Sequence, residues 1–151
     1  MRVVRSHYLL GRLITVSLKR AVAFVDGASR GNPGPASAGV VIQTIDGEPV
    51  KSFGVRLGQT TNNVAEWCAL ILALQEGILL KLESLDIRTD SELVARQISG
   101  EYKVKEPTLQ PFFQLARHLQ IQFKGASVRH VPREQNKLAD AEANRALDEL
   151  L

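Results

Sequence analysis

The chain of 151 residues has one cysteine, Cys68, one tryptophan and only 5% aromatic residues. A single cysteine excludes an internal disulfide framework and any cysteine-based zinc cluster, and makes a reducing compartment, the cytoplasm, the expected location. No apolar run approaches the ~20 residues that span a bilayer, so no membrane partner is expected. There is no repeat and no low-complexity tract. Acids are missing from residues 1–20, which hold Arg2, Arg5, Arg12, Lys19 and Arg20. Nineteen basic residues less these five leaves 14 against 16 acids in residues 21–151, a net of −2. The basic character of the whole therefore comes from an arm, and a nucleic-acid footprint cannot be argued from overall charge.

What is present suits one domain with a core of its own. Residues 1–20 read as a basic N-terminal extension and residues 21–151 as the folded domain. In the extension Ile14, Val16 and Leu18 alternate with polar residues in a strand pattern. That segment reads three ways: a loosely docked tail, an added edge strand, or a targeting segment. Ala21–Val25 is apolar on both faces, as a central strand is, and ends on Asp26 before the loop "GASRGNPGP". A second strand spans Ala38–Thr44, "DGEP" (46–49) turns the chain, and Val50–Leu57 alternates as a third strand. Val64, Trp67, Leu70, Ile71, Leu74 and Ile78 then follow the 3.6-residue period of a helix, which places Trp67 in the core. A short strand "LDIRT", a short helix ending at Gly100, a helix near 108–119, the strand "ASVRHV" and a closing helix complete an α/β pattern.

Four acids stand at the ends of these elements. Asp26 shares the face of Val22 and Phe24, because strand side chains alternate, and a carboxylate ending a buried strand is costly without compensation. Glu66 lies early in the first helix, Asp90 follows "LDIRT", and Asp140 sits early in the closing helix, four residues after Asn136. Each has a purely structural alternative. Asp26 can close an Asx-turn, Glu66 can partner an Asn63 N-cap, Asp90 can be an N-cap itself, and Asp140 can be a solvated helix acid. Together, however, they gather at the sheet edge where open α/β folds build their sites. Converging carboxylates raise one another's pKa values, and hard divalent cations such as Mg²⁺ remove that conflict. Two such ions about 3.5–4 Å apart can activate a water and stabilise a leaving oxygen, which is the chemistry of phosphodiester hydrolysis.

The ordered set "DGASRGNPGPASAG", "TTNNVAEW", "RTDSELV" and "HVPREQNKLADAEANRAL" resembles ribonuclease H type 1 over roughly Ala21 to Leu147. The resemblance implies a five-stranded mixed sheet, its first three strands antiparallel, flanked by helices. It implies an endonuclease that cleaves the RNA strand of RNA–DNA hybrids with two Mg²⁺ ions (Mn²⁺ as substitute), leaving 5′-phosphate and 3′-hydroxyl ends. By the same resemblance Asp26, Glu66, Asp90 and Asp140 are metal ligands and catalytic, Glu66 also meets the 2′-hydroxyl beside the scissile phosphate, and His130 assists product release or proton transfer. Asn32 and Thr61 match a pocket for a DNA-strand phosphate, Asn62 and Asn63 a pair contacting both strands, and Gly27, Ala28 and Ser29 the backbone that approaches the RNA ribose.

The sequence departs from many bacterial members in having no basic handle, since Gly100 to Leu119 is too short for one beside the normal helix. The loop after His130 reads "VPREQN", with Arg133 as a phosphate contact. The form resembled is the handle-less bacterial or archaeal one, and the basic arm is then expected to supply part of the affinity for the hybrid. No small-molecule cofactor is expected, and a monomer is. Other readings are a non-catalytic hybrid-binding module, a domain cut from a larger protein, and a nucleotide cradle. The last fails on context, because strand rather than helix follows the glycine-rich loop and there is no Gly-Lys-Ser/Thr triplet.

Overall fold

The computed structural model describes residues 3–9 and 12–149, with side chains from Leu18 onward. β1 (Val3–Leu9) and β2 (Arg12–Ser17) pair antiparallel in a sheet of their own. The strand pattern of the extension is thus extended backbone, but it does not join the main sheet as an edge strand. The side chains of Arg2, Arg5 and Arg12, to which hybrid affinity was assigned, lie outside the described residues.

The main sheet takes β3 (Arg20–Ser29), β4 (Gly34–Gln43), β5 (Pro49–Thr60), β6 (Ser84–Thr89) and β7 (Gly125–His130) in the order β5-β4-β3-β6-β7. β3, β4 and β5 form an antiparallel meander, while β6 and β7 add in parallel beside β3. This is the expected five-stranded mixed sheet, with the apolar run Ala21–Val25 in its middle strand. The glycine-proline loop is the turn between β3 and β4, whose pairing runs out to Ser29 opposite Ala36. Parallel neighbours require crossovers, and α1 (Asn62–Leu79), α2 (Glu92–Ile98) and α3 (Gln110–Gln120) lie in them. A single 3-10 turn (Arg133–Gln135) leads into α4 (Lys137–Asp148).

α1 buries Trp67, Leu70 and Leu74 against Ala21, Ala23 and Val25 of β3. Trp67 is fully buried, with Phe113 edge-on at 6.2 Å between centroids, as its place on the apolar stripe predicts. α4 packs on β4 and β5 so closely that their glycines are required. A Cβ on Gly39 would overlap the Ala139 carbonyl and the Ala143 amide, and one on Gly54 the Glu142 carbonyl. Ser37 Oγ donates to the Ala143 carbonyl at 2.5 Å, fixing the helix along the strand. Two caps differ from the sequence reading. α1 is capped by Thr61, whose Oγ1 accepts from the Val64 amide at 3.3 Å, not by Asn63. α2 is capped by Ser91, not Asp90. In each case the hydroxyl side chain sits three residues before the amide it caps, which leaves Glu66 and Asp90 outside the caps. Among the described residues no helix is long and apolar enough to cross a membrane.

Candidate active site

Asp26 lies near the end of the buried part of β3, which runs to Gly27, and is itself only 6% exposed. Three residues of extended chain, Gly27 to Ser29, separate it from the turn, so packing of Val22, Phe24 and Val25 fixes where its carboxyl stands. Glu66 comes from the second turn of α1 and is 5% exposed. Its Oε1 accepts the Gly27 amide at 2.8 Å. Gly27 permits this contact: a Cβ there would overlap the Glu66 amide and the Ala65 carbonyl carbon. The glycine after Asp26 is therefore needed to seat α1 on β3. Asp90 follows β6, half-buried, and offers an oxygen to the same point. One carboxylate oxygen from each of Asp26, Glu66 and Asp90 lies within 4.8 Å of the others.

Asp140 comes to this group from α4, near enough to Asp26 to help raise the pKa of its carboxyl. It is outside the three-oxygen cluster but lines the same cleft, of about 400 Å³, with Gly27, Ala28, Ser29, Asn62 and Arg133. Asn144, four residues along the helix, donates to the Asp140 carbonyl at 2.9 Å and to its Oδ1 at 3.2 Å. That i,i+4 spacing was a legible signal. Asn136 carried no such signal. It stands at the N-cap of α4 without a side-chain cap bond, is buried, and donates from Nδ2 to the Val25 carbonyl at 2.8 Å. The residue that starts α4 is thus tied to the backbone just before Asp26.

Burial, then the charges of Glu66 and Asp90, push the Asp26 carboxyl up to about 10. Burial likewise raises Glu66 to about 7, against the Gly27 amide and the Arg133 charge, which both pull it down. Glu66 Oε2 is buried with no hydrogen-bond partner. An all-oxygen donor set with an orphaned carboxylate oxygen and mutually raised pKa values fits a hard divalent cation.

The remaining sequence candidates separate into two groups. His130 is the last residue of β7, exposed, and paired across the sheet with Thr89. Strand alternation puts it on the side of Val128, which packs against the α1 core, and it is not among the residues lining the acid cleft. Arg133 is. The second group borders an adjoining cavity of about 650 Å³, walled by Asn32, Thr61, Asn62, Asn63, Glu106 and Phe112. There Asn32 Oδ1 accepts the Asn62 amide at 2.9 Å. Asn62 borders both cavities.

The reverse transcriptase-like family profile matches residues 24–146. Ribonuclease HI of Halobacterium salinarum is 44% identical over 130 residues, 86% of this chain and 65% of its own length. The crystal structure of RNase H1 from that archaeon superposes with a TM-score of 0.84, covering 87% of this chain and 99% of the crystallised one. The N-terminal RNase H domain of a Mycobacterium tuberculosis protein superposes at 0.83, with 40% identity over 86% of this chain and 94% of that one. The parent, described as bifunctional, is matched over only 36% of its length. LC11-RNase H1, isolated from compost, was crystallised in complex with an RNA/DNA hybrid; it is 42% identical with a TM-score of 0.81, over 85% of this chain and 96% of that one. The chain thus spans about two thirds or less of the full-length curated relatives named here.

Proposed function

Because the chain belongs to the reverse transcriptase-like family of ribonuclease H-fold domains, we propose that it hydrolyses the RNA strand of RNA–DNA hybrids, leaving 5′-phosphate and 3′-hydroxyl ends. The observation that carries this reading is the three-acid cluster of Asp26, Glu66 and Asp90, completed by Asp140. Buried carboxylates that raise one another's pKa serve no packing purpose, and a pure binding module would place fewer negative charges against phosphate. Two Mg²⁺ ions, held by these four residues, would supply an activated water and a stabilised leaving oxygen.

The protein's own groups bind and orient. The Gly27 amide holds one oxygen of Glu66, so the other is presented at a fixed angle to the cleft. Asn144 holds Asp140. Arg133 faces the acids and is placed to hold a phosphate oxygen, or the new 5′-phosphate, by charge-assisted hydrogen bonds. This assigns to Arg133 the assisting position that the family resemblance gives to His130. Ribose 2′-hydroxyls distinguish a hybrid from DNA, and they lie in a wide, shallow minor groove. Backbone at Gly27, Ala28 and Ser29, with Asn62, flanks the acids where such a groove would lie. On the other side of Asn62, the Asn32 amide and the Thr61 hydroxyl retain donors for a DNA-strand phosphate, with Asn63 beside them. The arm of residues 1–20 adds phosphate contacts.

The test is cleavage of end-labelled hybrid, duplex DNA, duplex RNA and single-stranded RNA with Mg²⁺, Mn²⁺ or EDTA. Cleavage of the RNA strand of the hybrid alone, abolished by EDTA and by Asp26→Asn, is expected. Cleavage that persists in Asp26→Asn with Mg²⁺ would overturn the assignment.

A further inference from the structure

A third cavity, of about 720 Å³, opens between α2, the 99–109 connection and the start of α3. Three features set it apart from a surface irregularity. Gln97 lines it while being only 6% exposed, and its Oε1 is buried without a hydrogen-bond partner. A native buried polar atom left unpaired asks for a ligand or a water. An exposed aromatic ring, Tyr102, forms part of the wall and is held in place. Its amide donates to the Arg96 carbonyl at 2.9 Å, and the Arg96 guanidinium sits 5.3 Å from the ring centroid. Arg96 is itself fixed by Glu92 at 2.8 Å and Glu101 at 2.6 Å. One ring face is thus covered and the ring is immobilised, at low entropic cost to anything that stacks on it. Lys103 stands beside it as an exposed cation.

An immobilised aromatic, an acceptor without a donor and a neighbouring cation match an unstacked nucleotide. The ring stacks a base, Oε1 accepts a base-edge N–H, and Lys103 meets a phosphate. A phosphate or a deoxyribose alone carries no donor for Gln97. The position also fits. The acid cleft adjoins the Asn32–Thr61 cavity at Asn62, and the 104–112 segment lies between that cavity, which Glu106 and Phe112 line, and the Tyr102 pocket, which Val104 and Gln110 line. A strand leaving the Asn32–Thr61 side would therefore meet the Tyr102 pocket across this one segment.

We propose that the Gln97–Tyr102 pocket binds an unpaired base of the DNA strand where it runs on beyond the hybrid, so that the protein favours hybrids flanked by single-stranded DNA. The inference rests on the function proposed above and adds a site to it. Binding is measured by fluorescence anisotropy in EDTA, with the full chain and five substrates. These are a blunt hybrid and the same hybrid with a short DNA extension at either end, an abasic DNA extension, or an RNA-strand extension. Cleavage of the blunt hybrid in Mg²⁺ is followed in parallel. One DNA extension is expected to tighten binding by about fivefold or more, the abasic one is not, and Tyr102→Ala and Gln97→Leu each remove the gain while leaving blunt-hybrid affinity and cleavage unchanged. No gain in the wild type, a gain kept by the abasic extension, a gain produced by the RNA extension alone, or a gain surviving in Tyr102→Ala overturns the inference. Because the Tyr102 ring is exposed, that variant remains decisive if Gln97→Leu fails to fold. Blunt hybrid cleaved normally with no extension effect sinks this inference alone, whereas a wild type that neither binds nor cleaves the blunt hybrid sinks the proposed function with it.

Discussion

Asn136 Nδ2 donates to the Val25 carbonyl at 2.8 Å, joining the start of α4 to the strand residue that precedes Asp26. The bond spans 111 residues of sequence and is buried at both ends. It holds the element carrying Asp140 against the element carrying Asp26. Removing the amide leaves the Val25 carbonyl without a partner, so Asn136→Ala should cost about 1–3 kcal/mol of stability, read by urea denaturation. It should also raise the Mg²⁺ concentration needed for half-maximal cleavage, because Asp140 loses its fixed distance from Asp26. A stability loss with an unchanged Mg²⁺ midpoint would make Asn136 structural only.

The raised carboxyls give a pH dependence of defined sign. Asp26 goes from an ordinary value of 3.8 to about 10 in the fold, and Glu66 from 4.5 to about 7. Between each pair of values the unfolded chain has lost a proton that the folded chain keeps, so stability falls as pH rises. The contribution is intact below pH 3.8, declines as pH climbs, and is gone above about 10. Asp26→Asn should therefore raise the Tm of the metal-free protein at pH 8, with the gain shrinking toward pH 4. Mg²⁺ should raise the wild-type Tm at pH 8 and the Asn variant's much less. A lower Tm for Asp26→Asn in EDTA at pH 8 would contradict the electrostatic account.

Gly27 separates two roles that sequence alone merges. Small residues beside a nucleic acid suggest close approach of substrate, but the Cβ of an alanine here would strike the α1 backbone at Ala65 and Glu66. Gly27→Ala should then destabilise by more than the about 1–3 kcal/mol usual for overpacking, since backbone rather than a side-chain tip has to move. Ala28→Ser, at a half-buried neighbour on the cleft wall, should leave stability unchanged. Equal stability of Gly27→Ala and wild type in urea would return the glycine to a substrate-contact role.

Arg133 and His130 make a paired comparison. Arg133 lines the acid cleft and lowers the Glu66 pKa; His130 does not line it. Loss of a positioned cation beside developing phosphate charge should cost about 10-fold or more in kcat/KM for Arg133→Ala. His130→Ala should cost far less, and Arg133→Lys should recover part of the loss. Steady-state cleavage of the hybrid by the three variants distinguishes them, and the reverse ranking would restore the histidine to the reacting centre.

Much of this was legible because it is local or periodic. The apolar run before Asp26, the turn at "DGEP" and the stripe through Trp67 each report burial within a few residues of sequence. The four acids were legible as a set, since each lies at the end of an element whose type could be read. What escaped was decided by contacts between distant segments. Thr61 and Asn63 are both acceptable caps by composition, and the choice depends on where β5 releases the chain. Asn136 does stand at the N-cap of α4, but nothing near it in sequence shows that its side chain goes to the Val25 carbonyl. His130 and Arg133 are three residues apart, and only the length of β7 decides which one clears the sheet.

The close seating of α4 on Gly39 and Gly54 has a consequence for timing. α4 leaves the ribosome after α1, α2 and α3, and it brings Asp140, Asn136 and Asn144 together. Until it emerges, the nascent chain carries Asp26, Glu66 and Asp90 without the element that completes their surroundings, and the grooved face of β4 and β5 lies uncovered. Synthesis proceeds at about 5–20 residues per second, so the four acids come together only once α4 has emerged, seconds after β3 and α1 have been made.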